Sequence, residues 1–399
     1  MNRSRPGRLP AGLLCAALLT GCASPSDPDV YVKIESLPRA LTAGEEQLVA
    51  AGETFTFDFL REVAGSEDTA PNVFVSPLSA SMALGMALSG AEGETYEAMR
   101  GALGLGSLSR EEIGTSYRGL LDLLTALDPS VRLEIGNSVW HRTGFEIETE
   151  YRTAVERDFD ARIQGLDFAD PTSVDVINAW VDDATDGTID GIVVPPINPL
   201  TVAFLINAIY FEGAWTLEFD PARTAPGDFR TPDGSVVTVP FMTMADRSFP
   251  FTSTDAYQAL ELPYGGEAFA MIVVLPAEGR DIDEFVRGLD AAEWEAIVAG
   301  LAEVKLMVGL PKLRIEYEKN LNEALIALGM GDAFDPALAD FTRMHRDALA
   351  MELHISRVKQ KAFVEVDERG TRAAAATSVE IGVTSMPPSF RADRPFVFA

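Results

Sequence analysis

Residues 201–211 read Thr-Val-Ala-Phe-Leu-Ile-Asn-Ala-Ile-Tyr-Phe, apolar almost throughout, with a lone amide at Asn207. Strands with one wet face alternate polar and apolar residues; a run like this predicts a strand covered on both faces. Helical spacing comes first in the chain. Leu48, Phe55, Phe59 and Val63 recur at helical intervals over 42–63. Residues 78–89 carry almost no charge and suit a buried helix that starts at Ser76-Pro77. Further helical stretches are 94–103, 110–127, 174–184 and 321–328. Strand-like runs are 133–140, 236–242, 259–262, 268–275, 306–310 and 362–366. Helices dominate the first half and strands the second, and no repeat or low-complexity linker divides 41–399. The pattern predicts an α+β fold in one domain.

The N-terminus reads differently. Arg3, Arg5 and Arg8 precede an apolar stretch, 9–19, too short to span a bilayer as a helix. Leu19-Thr20-Gly21-Cys22 follows and resembles a bacterial lipoprotein processing site. On that resemblance, 1–21 is a signal peptide and Cys22 becomes an acylated N-terminus. Several acyl chains on one residue give stable anchoring. Residues 22–40 then form a polar, Pro-containing tether. The expected location is exported and lipid-anchored, and the sorting residue Ala23 hints at the outer membrane. The chain's two cysteines, Cys15 and Cys22, both lie in this segment. The domain therefore has no disulfide, thiolate metal site or cysteine nucleophile, and its stability rests on burial.

Formal charge is −29. Losing the three arginines of 1–21 takes it to about −32, a surface that repels nucleic acid and anionic lipid and favours a soluble monomer. The three histidines, His141, His345 and His354, lack zinc spacing, and neither a nucleophile elbow nor a phosphate-binding loop occurs. No metal or cofactor is expected. Ser356-Arg357-Val358-Lys359 fits the SxxK pattern of exported acyl hydrolases. It lies in a strand-like stretch without a KTG or SDN partner, which argues against it.

The informative segment is 364–388. A strand leads into Asp367-Glu368-Arg369-Gly370-Thr371-Arg372, then Ala373, Ala374, Ala375, Ala376 and Thr377, a β-branched tail and Pro387-Pro388. An Ala-rich helix would account for the alanines but not for Val379, Ile381, Val383 and Thr384. With period two, Thr371, Ala373, Ala375, Thr377, Val379 and Ile381 share one face. Arg372 and Glu380 fall on the other. Such a segment suits a strand that slips between two existing strands.

The run from Glu368 to Thr377 resembles the hinge of inhibitory serpins. The resemblance extends to 72–103 (Asn-Val-Phe-Val-Ser-Pro-Leu-Ser onward), 207–215, 321–334 and Arg394-Pro395-Phe396-Val397-Phe398. It implies three β-sheets and about nine helices in one domain, with a reactive loop exposed at one pole. A serine protease would attack that loop, form an acyl complex, and be trapped as the loop inserts into the main sheet. Insertion would add ladder hydrogen bonds of about 0.5–1.5 kcal/mol each, on the order of ten kcal/mol over the segment. Fourteen residues at about 3.3 Å give a travel of roughly 46 Å.

Loop length places the reactive bond at Thr384–Ser385, with Val383–Thr384 second. A Thr or Val there suits the shallow apolar pocket of elastase-like or subtilisin-like proteases. The resemblance further assigns Ser76, Ser79, Asn207 and Gln360 to a polar cluster where the sheet opens, and Trp215 to the top of the sheet. Gln360 stands where the family usually has a titratable His. The family also has a further hairpin beyond Phe398-Ala399, so a truncated sequence is expected. A non-inhibitory binding role, and the acyl hydrolase of Ser356 and Lys359, are the alternatives.

Overall fold

Thr42 caps the first helix, α1 (Ala43–Gly65). Its hydroxyl accepts from the Glu45 amide, and the Glu45 carboxylate accepts from Thr42 N–H. Ser76 caps α2 (Pro77–Gly90), whose first residue is the proline that fits there because no N–H is needed. The computed structural model describes residues 31–67, 72–371 and 388–399, and Val32–Ala399 make up one compact unit. The calls on Cys22, Ala373–Ala376, Thr377, Val383, Thr384 and Ser385, and on the exposure of the reactive loop, lie outside the described residues.

Four more helices cover the first half: α3 (Gly93–Ala102), α4 (Arg110–Ala126), α5 (Thr149–Phe159) and α6 (Thr172–Ala184). Between and after them run β1 (Val131–Arg142), β2 (Arg162–Leu166), β3 (Ala203–Ala214), β4 (Ala225–Arg230), β5 (Val236–Ser253), β6 (Tyr257–Tyr264) and β7 (Phe269–Pro276). Helices α7 (Ile282–Arg287) and α8 (Ala291–Ala299) lead to β8 (Ala302–Pro311) and β9 (Leu313–Asn320). Then come β10 (Lys359–Val366), β11 (Gly370–Thr371), β12 (Ser389–Arg391) and β13 (Val397–Phe398). The helix expected over 321–328 is a set of short turns over 322–334, broken where Gly329 takes φ +101°.

Two ladders result. One is six-stranded, β2-β1-β3-β11-β10-β9; the other runs β12-β8-β5-β6-β7-β13, with β4 beside β5. The two smaller sheets expected are joined through β5, whose register against β8 shifts between Met244 and Arg247. A bulge there lets one long strand serve both.

Helix α2 is the pivot of the larger core. Met82, Leu84, Met86 and Leu88 are buried against Phe55, Phe59, Tyr151 and Phe159, each such side chain contributing about 1.5–3 kcal/mol. On the opposite face of the six-stranded sheet, Val174, Ile177 and Val181 of α6 pack with Trp140 and Ile206. Strand β3 is thus covered on both sides, as the apolar run required. A third cluster joins the two sheets through Trp215, Tyr264, Val364 and Val366.

Candidate functional site

The centre of the six-stranded sheet has an unusual construction. Thr371 of β11 pairs with Gly213 of β3 on one side and with Val366 of β10 on the other. Among the described residues no ladder joins β3 directly to β10; β11 alone links them. Asn207 of β3, Gln360, Ala362 and Val364 of β10, Ser76 and Thr371 line part of a cavity of about 1390 Å³ that also reaches Phe57, Leu60 and Trp294.

At the upper end the chain turns from β10 into β11 through Asp367, Glu368 and Arg369. Asp367 N–H donates to Gly370 O at 3.0 Å, and Arg369 N–H to Asp367 Oδ1 at 2.9 Å. Gly370 has φ +154°, and a β-carbon there would overlap the Gly213 carbonyl oxygen. Only glycine fits this closely against β3.

Trp215, fully buried, holds the turn from outside. Its backbone N–H donates to Arg369 O at 2.6 Å and its indole Nε1 to Asp367 O at 3.0 Å. Its ring stacks on Tyr264 with centroids 4.5 Å apart. The Tyr264 hydroxyl lies 2.7 Å from Thr371 Oγ1, and burial pushes its pKa well above the ordinary tyrosine value. It therefore stays a neutral partner. Thr371 is itself buried.

Glu368 is a buried carboxylate with two donors. Lys312 Nζ reaches Oε2 at 2.7 Å and Thr224 Oγ1 reaches Oε1 at 2.7 Å. Burial alone would raise its pKa, but the hydrogen bonds from Lys312 and Thr224 outweigh burial and hold it below the ordinary range. Phe219 N–H donates to the Glu368 carbonyl at 2.7 Å, so both ends of this residue are fixed.

Lower down, Gln360 of β10 clasps the start of α2. Its Oε1 accepts from Ser76 N–H at 3.0 Å and its Nε2 donates to Ser76 O at 2.8 Å. Ser79 contributes its N–H, which donates to Ser76 Oγ at 3.3 Å as a helix cap. Asn207, on β3, turns away from β10: its Nδ2 donates to Asn137 Oδ1 at 2.9 Å, and Asn137 in turn donates to Phe159 O at 2.7 Å. Asn207 Oδ1 is buried and has no partner among the described residues.

The expected groups therefore assemble in two places. Glu368, Gly370, Thr371 and Trp215 form the upper one; Ser76, Ser79, Gln360 and Asn207 line the cavity near the start of α2. Sequence reasoning missed Lys312, Thr224, Tyr264 and Asn137. They lie 56, 144, 107 and 70 residues from the groups they serve, and no local pattern marks them.

The hydrolase pattern does not assemble. Ser356 is exposed outside any helix, and Lys359 Nζ is paired with Glu318 at 2.8 Å. Among the described residues no cluster suited to a metal occurs, and no helix is long and apolar enough to cross a membrane.

Residues 50–399 match the family model described as "Serpin (serine protease inhibitor)". The chain is 36% identical over 362 residues to an uncharacterised serpin-like protein of Thermococcus kodakarensis, covering 89% of this chain and 82% of that one. It is 34% identical to Serpin B8 of Bos taurus, covering 88% and 95%. Among solved structures, the thermophilic serpin tengpin in its native state superposes with a TM-score of 0.81 at 29% identity, covering 92% of this chain and 93% of that one. With Gly370–Thr371 seated between β3 and β10, the glycine-hinged turn and these matches in place, the chain belongs to the serpin family, whose members are mostly protease inhibitors rather than enzymes.

Proposed function

We propose that this serpin is an inhibitor that traps a serine protease by inserting its own cleaved loop into the six-stranded sheet. The observation that carries this is the seating of Gly370–Thr371 as a two-residue strand between β3 and β10. Its register can be continued. Each residue after Thr371 steps one residue back along both neighbours, so Thr377 comes level with Asn207 and Gln360. Because Thr371 faces inward, Ala373, Ala375, Thr377, Val379 and Ile381 would also face inward, while Arg372 and Glu380 would stay outside. Thr377 would then bring a hydroxyl to Asn207 Oδ1.

In this mechanism the protease cleaves at Thr384–Ser385, or at Val383–Thr384, and is caught as an acyl complex. The apolar residue before the bond favours elastase-like or subtilisin-like enzymes. The protein acts as a monomer, exported and held to a membrane by acyl chains on Cys22. A positive result is an SDS-resistant complex with an elastase or a subtilisin. Thr371→Arg, which forces a long cation onto the buried face, is expected to turn the inhibitor into a substrate. Clean cleavage of the unaltered protein with no complex would point to a binding role and overturn the inhibitor.

A further inference from the structure

The segment that leads into the domain is seated at the same pole as the hinge. Ile34 N–H donates to Gly266 O at 2.7 Å, and the Lys33 ammonium pairs with Glu267 at 2.5 Å. Gly266 makes room for it: a β-carbon there would stand 2.8 Å from Val32 O and 3.2 Å from Ile34 Cδ1. The Gly266 N–H is held by Asp128 Oδ2 at 2.8 Å. Next to it, Gly265 N–H donates to Ala214 O at 2.9 Å, and Ala214 is the residue that faces Gly370 across the ladder. One turn therefore carries Val32–Ile34 on one side and the β3 end that seats Gly370 on the other.

Cys22 stands ten residues before Val32. Fully extended, ten residues reach at most roughly 33–36 Å. A domain of this length has a radius of gyration of about 21 Å, hence a breadth of roughly 50 Å. So short a tether does not pass from a membrane around to the opposite pole.

We propose that, once anchored at Cys22, the protein holds its hinge pole toward the membrane, and that its partners are proteases working at that surface. This rests on the lipid anchor and the loop insertion put forward above. Insertion of the loop as far as Thr384 would then carry a captured protease away from the bilayer by roughly 46 Å.

The cysteine-free domain allows single dyes to be placed. Ala222 is exposed on the hinge side, three residues beyond the Phe219 that binds Glu368. Leu200 is 85% exposed beside Ala203 at the far end of β3. Full-length lipoprotein bearing Ala222→Cys or Leu200→Cys, labelled and reconstituted in phosphatidylcholine vesicles with a headgroup quencher, reads the orientation. Quenching several-fold stronger at position 222 is expected. A forty-residue Gly/Ser insert before Tyr31 should remove the difference. Equal quenching with the natural tether, or stronger quenching at position 200, overturns the orientation. Flotation and the mass of the N-terminal peptide read the anchor separately, and complex formation by Cys22→Ser reads inhibition. A chain that does not float removes the anchor and the orientation together; a floating chain with equal quenching removes the orientation alone.

Discussion

Replacing Lys312 by Met tests whether the turn below the hinge is held by charge. Lys312 donates to Glu368 at 2.7 Å, and the side chains are 36% and 10% exposed. Removing the ammonium leaves a carboxylate in a mostly dry place with one neutral donor, Thr224. Stripping one partner from a fully buried pair costs about 3–5 kcal/mol. The partly solvated lysine brings this nearer to the value of one hydrogen bond to a charged group, about 1.5–3 kcal/mol. Unfolding entropy near 2.1 cal/mol/K per residue converts this to a drop of about 2–4 °C in thermal midpoint for a domain of this length.

Glu368→Gln should cost less, about 1 kcal/mol, because an amide still accepts from Thr224 and the Lys312 ammonium left without its carboxylate is partly solvated. The double variant should be less damaged than the sum of the two. The sign of the pH dependence follows from the lowered pKa of Glu368. The stabilisation is full above the ordinary glutamate value of about 4.3 and fades as the pH falls through the lower folded value. The gap between the natural protein and Lys312→Met should therefore shrink in acid. The assay is a thermal scan at fixed rate between pH 7 and pH 3.5. Indistinguishable midpoints at pH 7, or a gap that widens in acid, would refute the clamp.

Gly370→Ala places a β-carbon on the Gly213 carbonyl and should expel Thr371 from its seat; hydrogen exchange at the Gly213 amide, which faces Thr371, and at the Asp367 amide, which donates to Gly370 O, would rise at least tenfold. Gln360→Leu strips both bonds from the Ser76 peptide and should lower stability by about 2 kcal/mol by urea titration, with little pH dependence between 5.5 and 8. Thr377→Val keeps shape but loses the hydroxyl. It should leave the uncleaved protein's midpoint unchanged and lower that of the cleaved form by 1–2 °C, roughly one hydrogen bond.

Much of this was readable from the residues. The apolar run around Asn207 announced a central strand, and Ser76-Pro77 marked the start of the buried helix. Thr371, the first residue of the period-two face, is buried; the rest of that face lies outside the described residues. What escaped was non-local or charge-rich. Strand β9 alternates Leu313, Ile315 and Tyr317 with Arg314, Glu316 and Glu318, and α5 spaces Tyr151, Val155 and Phe159 four apart; both are short periods set among many charges, and the sequence reading passed over them. Strand β5 was legible only over 236–242, because its continuation through the bulge at Met244 and Arg247 has mixed polarity. The clamp on Glu368 depends on Lys312 and Thr224, brought together by the joining of the two sheets rather than by spacing. Gln360 was expected near Ser76, but its two-bond grip on the peptide, with Asn207 turned toward Asn137, is set by the widths of strands and not by a motif.

The most direct measurement is the thermal midpoint before and after a catalytic amount of a metalloprotease, which forms no acyl intermediate to be trapped, nicks the loop near Thr384. If the uncut protein stores on the order of ten kcal/mol that a new strand releases, the nicked form should melt more than 10 °C higher. A midpoint that stays where it was would mean no strand has been added and no energy stored.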